Sequence, residues 1–246
     1  MIGSHDCMHW QWKNCPTGWQ GSFSGKSRKS IIVLEAVADF DTWIRHAFFG
    51  IPGTQNDIIV LGRSPLFDAL TEGQSPQLDY HINNHRYSMG YYLADGIYPK
   101  WATLVQAIRR PQNEAEAYFT TKQEAFLKHV ERAFGVLQAR WAIIRQPARG
   151  WSLENLPNIM LACIILHNMI VEDERADYYN GESYDDEPDP NRSRRARAHI
   201  LDEARENLER DPRSRRIIMS EYMSRYRMIR SPVGNRHLQD DLVQHL

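Results

Sequence analysis

The longest periodic stretch of apolar positions spans residues 123–145, QEAFLKHVERAFGVLQARWAIIR, where Phe126, Val130, Phe134, Leu137 and Trp141 recur at steps of three or four. This spacing predicts a helix with one face against a core. Glu131 stands at the edge of that stripe, between Leu127 and Phe134. A carboxylate so placed needs a partner, because desolvating it alone is costly. Two readings are open: an ion pair with Arg132, Lys128 or an arginine from elsewhere, or a metal ion shared with other acids. Residues 152–171 form a second, almost wholly apolar helix. Its longest apolar run, residues 159–171, is interrupted by His167 and Asn168 and falls short of the roughly 20 residues of a membrane span, so a buried helix is expected and no membrane partner.

Upstream, the pattern changes to that of strands. Residues 1–12, MIGSHDCMHWQW, read as a short strand centred on Asp6. Ile31–Ala38, IIVLEAVA, is nearly continuous in apolar character, as a central strand covered on both faces requires. Asp39, Asp41 and Thr42 make a turn into a further strand over 43–49, which predicts an antiparallel hairpin. Residues 14–30 read as a loop, and Gly50 to Gly53 ends the sheet. Residues 54–61 start a helix with Asp57 in its first turn, where an acid also interacts favourably with the helix dipole. Residues 65–79 read as a loop with one short amphipathic turn, LFDAL. Residues 91–95 form another short strand whose C-terminal tip, a common ligand position in open α/β sheets, carries Asp95. The following IYPKWATLV reads as loop and helix, and residues 111–121 as a loop.

Beyond Glu172 the composition shifts. Residues 177–192 have too few apolar residues to fold alone and read as a linker. Ile200, Leu201, Ala204 and Leu208 mark an amphipathic helix, and Asp211 and Pro212 open another. The predicted organisation is a domain over 1–175, an acidic then basic linker over 176–198 and a helical segment over 199–246.

Composition adds limits. The 246 residues, 42% hydrophobic and 25% charged, are those of a globular protein with a sizeable core. A net charge of −1 hides an asymmetry: residues 172–189 hold nine acids and one arginine, whereas 192–230 hold twelve arginines and six acids. The basic run suits either a solvated helix or a polyanion-facing end. Three cysteines without a CxxC pattern point to a reducing compartment. Cys7, His9 and Cys15 lack the fourth ligand of a tetrahedral zinc site. No signal peptide is visible.

Taken in order, the elements are a strand with Asp6, a hairpin, an acid at a helix start, a strand ending in Asp95 and a long helix with Glu131. That order predicts an α/β fold, an RNase H-like mixed sheet flanked by helices, with its carboxylates converging at one edge. Such a set suits two hard divalent cations about 4 Å apart, Mg²⁺ or Mn²⁺, acting on a phosphodiester in line.

The strings GSHDCMHWQWKNCP, LEAVADFDTWIRHAFFGIPGTQNDIIVL, MGYYLADGIYPKWATLV, KHVERAFGVLQARWAI and ACIILHNMIVEDER resemble, in order, the catalytic domain of plant PIF/Harbinger transposases, and HLQDDLVQHL resembles that family's C-terminal segment. The resemblance implies a metal-dependent DNA endonuclease and strand-transfer domain in the nucleus. Asp6, Asp57 and Glu131 match the catalytic DDE acids, and Asp95 of LADGIYP matches a further metal-binding acid. Whether Asp57 or Asp95 is the second catalytic aspartate depends on the alignment. DNA, a Myb-like partner protein and a second copy of the chain are the implied partners. Lys100, Lys122, Arg140 and Arg145 are candidate phosphate contacts or plain surface cations. Two departures stand out. His5 replaces the apolar residue usual before the first aspartate, where it is expected to disturb the strand or titrate beside the metals. The helix-turn-helix region usual in these proteins does not precede Met1, which favours the alternative of an inactive or domesticated remnant that binds protein or DNA.

Overall fold

The computed structural model describes the backbone of residues 1–25, 28–73, 78–181 and 212–246, with their side chains except those of 176–181 and 212–218. Strand β1 (Gly3–Gln11) and helix α1 (Thr17–Phe23) lead into a meander of β2 (Ile31–Ala38) and β3 (Ile44–Pro52). Helices α2 (Asp57–Arg63) and α3 (Asp68–Glu72), joined by a 3-10 turn, precede the hairpin β4 (Tyr80–Ile82) and β5 (His85–Tyr87). Two short strands, β6 (Tyr92–Leu93) and β7 (Leu104–Val105), are followed by helices α4 (Glu114–Arg140), α5 (Ala142–Arg145) and α6 (Asn155–Gly181). Helices α7 (Pro212–Ile229) and α8 (Pro232–His245) close the chain. The predicted linker over 176–198 and amphipathic helix over 200–208 lie largely or wholly outside the described residues.

The main sheet has the order β3-β2-β1-β6-β7. Strands β1, β2 and β3 are successively antiparallel, whereas β6 runs parallel to β1 and β7 parallel to β6. This is the mixed α/β sheet of an RNase H-like core, with α7 and α8 as its helical extension. The strand that begins almost at the first residue therefore lies at the sheet's centre, flanked on both sides. Its side chains alternate. Met8 and Trp10 join the larger core with Ile32, Leu34, Ala36, Ala38, and Val130, Ala133, Phe134 and Leu137 of α4. Burial of Val130, Phe134 and Leu137 stabilises this layer by about 1.5–3 kcal/mol each. The opposite face packs Val33, Phe48 and Val60. At Gly3 an added Cβ would stand 2.7 Å from the Ala38 carbonyl oxygen, so only glycine lets β1 approach β2 there.

Several boundaries differ from the sequence pattern, each for a local reason. The region read as a loop before β2 contains α1, because Phe23 docks edge-on beneath Trp12 at 5.1 Å. Gly50 does not end the sheet: with φ 110° it accompanies a register shift in the β2–β3 pairing, and β3 continues to Pro52. ATLV forms β7 instead of a helix, since Leu104 and Val105 pair with Tyr92 and Leu93. Helix α4 starts within the predicted loop at 111–121. Asn113 Oδ1 accepts from the Glu116 amide at 2.8 Å and Glu116 Oε2 accepts from the Gln112 amide at 2.7 Å, a variant of the capping box. The helix expected over 123–145 breaks at Trp141, which is extended, and Phe126 of the expected core stripe is exposed.

Helix α6 has, over Asn155–Arg175, the length and mean hydropathy (1.3) of a membrane-crossing helix. It is not buried all round. Leu156, Met160, Cys163, Ile164 and Val171 are buried, while Ile165, Leu166 and Met169 are exposed. Its two interrupting polar residues explain its place. Asn168 Oδ1 accepts from the Ile44 amide at 2.9 Å and its Nδ2 donates to the Ile44 carbonyl at 2.8 Å, substituting for a neighbouring strand at the edge of β3. His167 Nε2 donates to the carbonyl of Thr42 at 2.8 Å, holding a β-branched residue at φ 70°. Asn168→Ala would leave both groups of Ile44 unpaired in a buried place. We expect a loss of about 1–3 kcal/mol, read as a lower urea midpoint at unchanged slope.

Candidate active site

Asp6 lies in the middle of β1, half-buried, on the face that meets α4. Two contacts fix the helix along this strand. Ser4 Oγ donates to the Phe126 carbonyl at 2.8 Å, and Gln138 Nε2 reaches Met8 Sδ at 3.3 Å. Helix and strand thus run in the same sense. Asp6, midway between Ser4 and Met8, comes level with the middle of 126–138, where Glu131 is exposed. The electrostatics agree. Burial raises the Asp6 carboxyl above its ordinary value; the Cys7 amide and His5 partly offset this, and the charges of Asp57 and Glu131 raise it further. Two acids far apart in sequence therefore act on Asp6.

Asp57 is in the first turn of α2, after Asn56, whose Oδ1 caps the helix by accepting from the Ile59 amide at 2.9 Å. Its place fits a dipole partner. Its Oδ1, however, is buried without a hydrogen bond, 3.6 Å from His9 Nε2, and a dipole role needs no such orphaned acceptor. Asp95 follows β6, exposed, and accepts from the Gly96 amide. The β1–β6 register pairs Ser4 with Leu93, so two residues beyond the ladder Asp95 comes level with Asp6. Gln123 of α4 fixes this strand end by donating to the carbonyls of Ala94 at 3.1 Å and Val105 at 3.2 Å.

Of the two readings of Glu131, the ion pair is not formed among the described residues. Arg132 instead donates to the Phe40 carbonyl at 2.6 Å. Among the described residues no group of three or more His, Cys, Asp or Glu side chains stands close enough to hold a metal ion. Asp57 and Glu131 act on Asp6 without a ligating geometry. A like-charged, oxygen-only donor set with an orphaned buried oxygen fits a hard divalent cation in chemistry.

The candidate phosphate contacts separate. Arg140 is committed to Glu174 at 2.6 Å and to His167, and Lys122 lies over the Tyr118 ring. Lys100 and Arg145 are exposed.

His5 corrects an expectation. It leaves β1 regular, with continuous pairing from Ser4 to Gln11, and it faces away from Asp6. Its Nε2 donates to Glu35 Oε1 at 2.6 Å, both residues fully buried. His46 Nε2 stands 3.6 Å from the other Glu35 oxygen, an ion-pair separation, and hydrogen-bonds Ser64 Oγ at 3.2 Å. Burial alone would raise the Glu35 carboxyl, but the imidazoles of His46 and His5 outweigh it and hold it at about 2. Sequence reasoning missed Glu35, although an acid inside IIVLEAVA is the signal that would have found it. Tyr98 closes the space above: its ring meets His5 edge-on at 4.7 Å and its hydroxyl donates to Cys7 Sγ at 3.5 Å. Burial raises both the Tyr98 hydroxyl and the Cys7 thiol.

A family model described as plant transposon protein matches residues 1–178. The chain is 26% identical over 159 residues to Protein ALP1-like of Arabidopsis thaliana, a match covering 64% of this chain and 38% of that protein. It thus spans little more than a third of that relative's length. No solved structure matches.

Glu35 and Asp6 carry opposite pH dependences. The folded Glu35 carboxyl is held below its ordinary 4.5, so its stabilisation is complete above that value and fades as pH falls toward about 2. The folded Asp6 carboxyl is raised above 3.8, so its ionisation destabilises the fold as pH rises through that region. We expect Glu35→Gln to cost about 3–5 kcal/mol at neutral pH, as breaking a buried pair does, with the deficit shrinking in acid. Asp6→Asn should raise the melting temperature of chelator-treated protein at neutral pH and not below pH 3.8. Denaturant titrations and melts across pH read both signs.

Proposed function

Because the chain belongs to the plant transposon protein family, we propose that it is a transposase-derived, divalent-metal-dependent DNA endonuclease and strand-transfer domain, working in the nucleus. The observation that carries this reading is the placement of Asp6 on the central strand of an RNase H-like sheet, level with Asp95 after β6 and with Glu131 on α4; burial above all, and then the charges of Asp57 and Glu131, raise its carboxyl. Asp6, Asp57, Asp95 and Glu131 would hold Mg²⁺ or Mn²⁺. When bound, the ions supply Lewis-acid charge for in-line displacement at phosphorus.

The chain's own residues supply position. Asp6 is fixed by the ladder of β1 with β2, just past the point where β6 pairs with β1, and Glu131 by a helix tied to that strand at Ser4 and Met8. Asp57 and Asp95 approach from a helix start and a strand end. The Asn56 cap holds the first and Gln123 the second, so neither acid depends on a long free loop. A second reading, a remnant that binds DNA or a protein partner without cutting, is favoured by the separation of the carboxylates.

Incubation with terminal-repeat or nicked DNA in Mg²⁺ or Mn²⁺ distinguishes them. Cleavage is expected, and Asp6→Ala and Glu131→Ala should each lower its rate on the order of 10³-fold, the equivalent of several kcal/mol of lost charge stabilisation. Asp57→Asn and Asp95→Asn, compared side by side, identify the second catalytic aspartate by the larger loss. Cleavage that survives Glu131→Ala, or DNA binding without cleavage in either metal, would defeat the nuclease reading.

A further inference from the structure

A cavity of about 340 Å³ opens between the β6–β7 connection, which carries Asp95, the segment after β7, and α8. Its walls include Tyr98, Lys100, Gln106, Ile108, Arg109 and Gln239. We propose that it is a subsite for one unpaired nucleotide of the DNA strand, next to the phosphodiester that the carboxylates serve; this rests on the DNA-substrate part of the nuclease reading.

Size comes first. The volume falls at the low end of the roughly 300–1,000 Å³ of sites that enclose a small-molecule-sized group. That suits a single nucleotide and excludes a duplex. Charge comes next. The lining holds two cations and no acid. Arg109 Nη2 donates to the Gly96 carbonyl at 3.0 Å, which fixes the guanidinium at the rim and leaves its other N–H donors for a phosphate. Lys100 is exposed beside it. The interior is different in kind. Gln106 Nε2 donates to the Pro99 carbonyl at 2.9 Å and Gln239 Nε2 to the Gln106 carbonyl at 2.7 Å. Each amide thus has its nitrogen engaged with the backbone, and its oxygen remains an acceptor of the kind the exocyclic amino group of a base requires. Half-buried Ile108 adds an apolar surface for a base face, over a floor that includes the buried Tyr98.

Position completes the argument. Gly96 follows Asp95, and the Tyr98 hydroxyl touches Cys7, the residue after Asp6. A nucleotide here would lie against the strand end that carries Asp95. Helix α8, through Gln239, would then contribute directly to substrate binding. Duplex reaching a single-nucleotide cavity must open its end, so the preference is for DNA with an unpaired terminus.

The test uses the full chain in chelator, so that cleavage plays no part: fluorescence anisotropy of a labelled duplex with an unpaired end, and of its blunt counterpart, across salt. Wild type should bind the unpaired end more tightly. Lys100→Glu and Arg109→Ala should each weaken that binding about 3–10-fold, erase the preference and lower the salt slope by about one. Lys100 makes no hydrogen bond or salt bridge among the described residues, so its variant keeps the test valid if loss of the Arg109 tie perturbs folding. Equal binding of both DNAs by wild type, or unchanged affinity and slope in Lys100→Glu, would overturn the subsite and leave the nuclease reading standing. Lost cleavage with the anisotropy differences intact would do the reverse.

Discussion

The 2.6 Å bond between His5 and Glu35 is the constraint on which the rest of the sheet depends. It joins the two central strands at a fully buried place, and His46 and Ser64 extend it to β3 and to the residue after α2. Side chains alternate along a strand, so fixing His5 on one face fixes Asp6 on the other. A one-residue slip of β1 would put Asp6 beneath Tyr98 and His5 against α4, each without its partner. The buried carboxylate thus ties the register of β1 to that of β2 as well as stabilising the sheet.

A second constraint holds Glu131. A long helix over a sheet is free to slide unless polar contacts index it. Here Ser4, Met8, Ala94 and Val105 all engage α4 through specific atoms. The contacts lie on both sides of Glu131 along the helix. Glu131 itself is left exposed beside a rigid core, with its nearest arginine drawn away to the turn after β2.

Much of this architecture was legible in the sequence. The continuous apolar run of β2 gave a strand buried on both faces, and the elements that carry Asp6, Asp57 and Glu131 were read as strand, helix start and helix. The failures share a cause. Residues such as Asn113, Gly50 and Asn168 act through backbone atoms of distant or neighbouring segments, and hydrophobic periodicity carries no trace of that. The hairpin β4–β5 escaped notice because its strands are three residues each and Asp241 of α8, bound by His85 at 2.8 Å, holds them from the far end of the chain.

Glu35 and Asp6 show the limit most plainly. Both are acids inside apolar strands, and in sequence they look alike. In the fold they lie on opposite faces of one strand pair, one satisfied by two imidazoles and the other pushed up by burial and by two like charges. A partnered buried acid organises the sheet, and an acid left under repulsion is the one whose charge the fold leaves uncompensated. Which acid is which follows from the register alone, since the same alternation that turns Glu35 toward His5 turns Asp6 toward Glu131.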